Sequence, residues 1–117
     1  MDQNIANLFE GAEQGNISKI AEAISLGANV NFEDEDGESA LFLSLSEGNL
    51  DVAQYLIGAG ADYRLVNKDG ESILHAAVYS NNCQCIEFAL DLINDINITD
   101  AEGLTPIYHA LENDDLE

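Results

Sequence analysis

Asp36-Gly37-Glu38-Ser39-Ala40-Leu41-Phe42 decides the fold. It is followed 33 residues later by Asp69-Gly70-Glu71-Ser72-Ile73-Leu74-His75, and after the same offset by Glu102-Gly103-Leu104-Thr105-Pro106-Ile107-Tyr108. Working outward, Gly15-Asn16-Ile17 falls over Gly48-Asn49-Leu50 and Asn81-Asn82-Cys83. Gly27-Ala28-Asn29-Val30-Asn31 falls over Gly60-Ala61-Asp62-Tyr63-Arg64. Several columns agreeing at one offset mark an internal repeat, and a period of this size marks a stacked array.

Within one period the local chemistry reads as helix, turn, helix, hairpin. Ser39, Ser72 and Thr105 stand where an N-cap belongs, just before apolar residues at helical spacing. Pro106 takes the first helical position, where a missing N–H costs nothing. In the second period a first helix spans roughly Ala40–Glu47 and Gly48-Asn49 breaks it. A second helix spans roughly Leu50–Ile57, with Leu50, Ala53, Leu56 and Ile57 on one face. Gly60 supplies a positive φ after it, and the acid-glycine pairs supply the tight turns of hairpin tips. Helices this short are marginal alone in water, so each pair must bury a face on its neighbour. Leu41, Leu74 and Ile107 share a column and are expected in the inter-repeat core.

These motifs resemble the ankyrin repeat family, with its 33-residue period, Thr-Pro-Leu-His helix start and Gly-Ala-Asp-Val-Asn hairpin entry. The start survives as Ser72-Ile73-Leu74-His75 and Thr105-Pro106-Ile107-Tyr108, and the entry as Gly27-Ala28-Asn29-Val30-Asn31 and Gly60-Ala61-Asp62. The resemblance implies an all-α ankyrin solenoid of about 3.5 helix-turn-helix repeats joined by β-hairpin loops. It implies one domain over 1–117, with repeats at about 4–32, 33–65, 66–98 and an incomplete 99–117. The first repeat lacks a hairpin, as N-terminal capping repeats do. Phe42 replaces the family's His, and Ile93-Asn94 replaces Gly-Ala, leaving Asn94 as the left-handed residue. Residues after about Leu111 are expected to fray or to be ordered by a neighbouring chain.

Charge narrows the function. The chain carries 23 Asp and Glu against 3 Lys and Arg, a net charge of −20. A nucleic-acid binder needs the opposite sign, and so does a binder of anionic membranes. The N-terminus lacks the pattern of a secretory signal, and no apolar run approaches the roughly 18–20 residues that span a bilayer. Two cysteines are too few for a disulfide scaffold, so a reducing, cytoplasmic setting is expected.

No arrangement of residues supports an enzyme. The resemblance makes His75 structural, tying its helix start to nearby backbone, and His109 has no nucleophile in a recognisable context. Cys83-Gln84-Cys85, without a second pair, makes no zinc site; Cys83 and Cys85 align with Leu50 and Val52 and read as small buried residues. Glu33-Asp34-Glu35-Asp36-Gly37 fails as a calcium loop, because Phe32 and Leu43 fall where acids are required. Gly-rich phosphate loops are missing too. No cofactor and no metal are expected.

The resemblance also implies a binding face: the hairpin tips and the inner side of the first helices. On this chain that strip holds Glu35, Asp36, Glu38, Glu47, Asp69, Glu71 and Glu102, with Tyr79 and Leu104 among them. An aromatic anchor ringed by charge has the composition of an interface. A basic protein partner is expected, with the chain acting as an inhibitor, antitoxin or immunity-type protein. The competing expectation is a scaffold or capping fragment of a longer array, making end-to-end contact through the unfinished fourth repeat, with acidity serving solubility alone.

Overall fold

The computed structural model describes residues 3–93 and 98–106. Six helices follow one another: α1 Gln3–Gln14, α2 Ile17–Ser25, α3 Ala40–Ser46, α4 Leu50–Gly58, α5 Ile73–Ser80 and α6 Cys83–Ile93. They pair as α1 with α2, α3 with α4 and α5 with α6, at the boundaries that the repeat columns predict. The first helices α1, α3 and α5 pack closely on one another, whereas α2, α4 and α6 touch only lightly. That inequality curves the stack toward the first-helix side. The principal extents, 40 × 25 × 22 Å, are those of an elongated body.

Each helix start has a local cause. Ser39 Oγ accepts from Phe42 N–H at 3.2 Å, and Asn16 Oδ1 accepts from Lys19 N–H at 3.1 Å. Such caps satisfy donors that the first turn leaves unpaired. Asn49 does something else. Its Nδ2 reaches back to the preceding repeat and donates to the carbonyls of Ala12 at 2.8 Å and Glu13 at 3.1 Å. Asn82, one period later, donates to Gly48 O at 3.4 Å while its Oδ1 accepts from the N–H groups of Gln84 and Cys85. The column thus ties α4 and α6 to the end of the first helix of the preceding repeat. At the break between α5 and α6, Asn81 takes φ 56°, where Gly15 and Gly48 take 75° and 78°. Asparagine tolerates this left-handed region better than other side-chain-bearing residues.

The core runs continuously through the stack. Leu8, Ile20, Leu41, Leu45, Leu56, Ile73 and Leu74 are fully buried within it. Leu41 and Leu74 hold the expected column; Ile107, its third member, lies outside the described residues, as do Asn94, His109 and the segment after Leu111. Pro106 is buried in helical conformation behind Thr105. Cys85 is buried like Val52, but Cys83 is exposed, against expectation. Its column mate Leu50 is itself only half-buried, because the first residue of these second helices stands at the rim of the core.

The loops also differ from expectation. They contain no β-strand among the described residues. Each closes by two backbone bonds across the turn: Asp34 N–H to Glu38 O at 3.0 Å, Asn67 N–H to Glu71 O at 3.1 Å and Asp100 N–H to Leu104 O at 2.9 Å, with the N–H groups of Gly37, Gly70 and Gly103 donating back to the carbonyls of Asp34, Asn67 and Asp100 at 3.0 Å. The Oδ1 atoms of Asp34, Asn67 and Asp100 accept the N–H groups at the second and fourth positions after them, all at 2.9–3.0 Å. Those donors are therefore spent on a side chain rather than on a ladder. Adjacent loops are joined backbone to backbone, Lys68 N–H to Asp36 O at 2.9 Å and Ala101 N–H to Asp69 O at 2.7 Å.

Candidate interaction surface

The strip that the sequence singles out is carried by two kinds of position. Asp36, Asp69 and Glu102 occupy the tips, one per repeat, and are exposed, as is Glu35. The backbone bonds from Lys68 and Ala101 to the carbonyls of Asp36 and Asp69 set those two tips in register along the stack. Glu47 is exposed at the C-cap of α3, one helix length below its tip. Of the three cations, Lys19 pairs with Glu10 and Arg64 with Asp62, at positions away from the strip; Lys68 alone stands among the tip acids.

Glu38, Glu71, Tyr79 and Leu104 behave differently from the tips. Glu71 and Leu104 are half-buried, and Glu71 uses both oxygens. Its Oε1 accepts from Asn67 Nδ2 at 2.9 Å, and its Oε2 accepts from the Tyr79 hydroxyl. Tyr79, on the last turn of α5, is therefore held down by its polar end, although its ring is 37% exposed. Burial, the Glu71 bond and the nearby charges of Glu71, Asp100 and Asp69 all push the Tyr79 hydroxyl above its ordinary value. It stays protonated and keeps donating to the carboxylate. Leu104 is engaged through its backbone, where its carbonyl lies 3.1 Å from His75 Nε2.

His75 has the structural role that the resemblance implies. It is fully buried, its Nδ1 accepts from Ser72 N–H at 3.1 Å, and Nε2 meets the Leu104 carbonyl of the next loop. One imidazole thus closes the capping box of α5 and clamps the following repeat. Phe42 holds the same column one repeat earlier, and there Ser39 caps α3 alone.

Glu38 is the strained member. Burial raises its pKa first, and the charges of Asp34, Asp36 and Glu71 raise it further, against a lowering bond from the Asn67 side chain. A carboxyl whose folded pKa is raised contributes stability that is fully present below its ordinary value of 4.5 and is lost as pH rises through the folded value. Glu38→Gln keeps the shape and removes the charge. The melting temperature of this variant should exceed that of the native chain at neutral pH, with the gain vanishing below pH 4.5. Equal gains at both pH values would show that packing, not ionisation, is responsible.

Sequence reasoning missed the residue that organises this cluster. Asn67 is 7% exposed, and its side chain accepts from Asp69 and Glu71 N–H while donating to Glu71. The signal was present as a column, Asp34, Asn67 and Asp100 at the 33-residue offset. Among the described residues no group of three His, Cys, Asp or Glu is arranged to hold a metal ion. No helix among them is long and apolar enough to cross a membrane.

The family described as ankyrin repeats (3 copies) matches residues 8–100, most of the chain. The chain belongs to the ankyrin repeat family. Ankyrin repeats are in general protein–protein interaction modules, and the array described above is of that kind. No curated protein matches the chain. The ankyrin family accounts for the columns that build the stack: the caps, the asparagine ties, the glycine turns and His75. It leaves the acids of the strip unexplained, since Asp36, Asp69 and Glu102 carry no structural bond of their side chains among the described residues.

Proposed function

We propose that residues 1–117 form a single ankyrin domain that binds a basic protein partner without catalysing a reaction, as an inhibitor or an antitoxin or immunity-type protein does. The observation that carries this reading is the row of tip acids. Two of them, Asp36 and Asp69, are tied into register by backbone bonds, and the side chains of all three tips are exposed and make no hydrogen bond among the described residues. A surface of one sign accelerates encounter with a partner of the other and rejects like-charged competitors. Enzymes that handle nucleic acids present basic phosphate sites and are natural targets for such a surface. The cytoplasm fits a chain whose two cysteines are both free.

Recovery of bound proteins at low salt, with their isoelectric points measured, tests this reading. The expected set is basic and elutes as salt is raised. A set of neutral or acidic proteins retained at high salt would overturn it.

One observation favours the second reading, a module that continues a longer array. A Cβ added at Gly37 or Gly70 would meet the backbone of the next loop at 2.9 or 2.6 Å, whereas at Gly103 none of the described residues lies within 4 Å. Among the described residues the third tip thus lacks the neighbouring loop that covers the first two. In that reading the acidity serves solubility alone. Self-repulsion at −20 destabilises the isolated domain at low ionic strength. Its melting temperature should rise with added NaCl as the Debye length shrinks to about 10 Å near 0.1 M. A flat curve would mean that the charge is already compensated.

A further inference from the structure

The first loop differs from the other two at positions the repeat does not require. Where the second and third loops carry Leu65, Val66 and Lys68, and Ile98, Thr99 and Ala101, the first carries Phe32, Glu33 and Glu35. Leu65 and Ile98 are half-buried, and Ile98 packs against the core. Phe32 is 36% exposed. Its ring is steadied by Phe9 of α1, with centroids 6.0 Å apart and planes tilted by 54°. Beside it opens a pocket of about 310 Å³ lined by Phe32, Glu33, Asp34 and Glu35. Asp34 has one carboxylate oxygen committed to the turn, accepting from Asp36 and Glu38 N–H, both at 2.9 Å. Glu33 and Glu35 are exposed.

An aromatic face flanked by carboxylates matches one kind of side chain. A guanidinium is planar, weakly hydrated and always charged; it stacks on a ring while its N–H fork reaches carboxylates. An ammonium has the charge but not the plane. We propose that this pocket receives an arginine side chain of the partner, stacked on Phe32 and bonded to Glu33 and Glu35. The inference rests on the reading of the chain as a binder of basic proteins and adds a specificity site at one end of the strip, beside the tips and sharing Glu35 with it.

The test is an amide NMR titration of the full chain with the peptide Gly-Arg-Gly, with Gly-Lys-Gly in parallel. Phe32→Leu and Glu33→Thr each install a residue that another repeat carries in the same column, so the fold has a precedent for both. Saturable shifts centred on residues 32–35 are expected, larger for the arginine peptide. Affinity should fall about two- to fivefold in Phe32→Leu, the range for a solvent-exposed cation–π contact. Equal shifts at all acidic positions, the same for both peptides and untouched by Phe32→Leu, would overturn the pocket and leave only net charge. Shifts centred instead on Asp36, Asp69 and Glu102 would also overturn it while supporting the strip. Shifts at residues 32–35, together with partner binding that survives reversal of the tip acids, would support the pocket and remove the strip.

Discussion

Leu74→Ala should lower the unfolding free energy by about 2–5 kcal/mol, the range for a buried leucine truncated in a packed core. Leu74 is 1% exposed, on the helix that packs against α3 of the second repeat and reaches the third loop through His75. Leu41 and Leu45 of α3, the helix packed against α5, belong to the same buried cluster, which limits how far the site can collapse around a void. A loss of that size is a large part of what holds a domain this small together. Because the array is a chain of nearest-neighbour interfaces, the loss should fall on the α3–α5 interface first. Urea unfolding measures it, and a loss below about 1 kcal/mol would contradict the register.

Gly70→Ala should be comparably damaging, for a different reason. Gly70 has φ +74°, and a Cβ there would lie 2.6 Å from the backbone N of Ala101. The substitution combines the positive-φ penalty with a forced separation of the two loops, which breaks the Ala101 N–H to Asp69 O bond. Together these cost about 3 kcal/mol. Gly103→Ala is the matched control, since its φ is +80° and its Cβ would meet none of the described residues within 4 Å. It should cost only the backbone term, about 1 kcal/mol. Equal losses in chemical denaturation would show that loop-to-loop contact contributes nothing.

The fold was legible because the repeat writes each structural demand several times. A single Asp-Gly pair is weak evidence, but Gly37, Gly70 and Gly103 at one offset all take positive φ. Helix ends and the Leu41–Leu74 column follow from the same redundancy, whereas the role of His75 came from the family resemblance, its column reading Phe42, His75 and Tyr108. What depends on contacts across the period was not legible. Tyr79 is eight residues from Glu71, and only the folded loop shows that its hydroxyl is bound there. That bond changes the reading of the strip: Glu71 and Tyr79 are members of a hydrogen-bonded cluster, so charge reversal at Glu71 would disturb the loop as well as the surface. Cys83 was misplaced because a column average hides the rim of a core. Phe32 and Glu33 stood apart from the repeat columns, and nothing in one sequence said whether the ring would be covered.

The central claim is that the tip acids steer a basic partner. It is tested most directly by the association rate of the chain with protamine, an arginine-rich polypeptide, as a function of NaCl. Asp36→Lys with Asp69→Lys reverses two tips whose side chains are unused by the fold. Glu22→Lys with Glu87→Lys reverses two exposed acids on the second helices and changes net charge equally. These controls avoid Asp51, which lies in the first turn of α4, where a negative charge suits the helix dipole. The account predicts that the tip pair slows association about tenfold or more at low salt and flattens its salt dependence, while the second-helix pair changes the rate less than about twofold. Equal slowing by both pairs would contradict it, because the attraction would then belong to net charge and to no face.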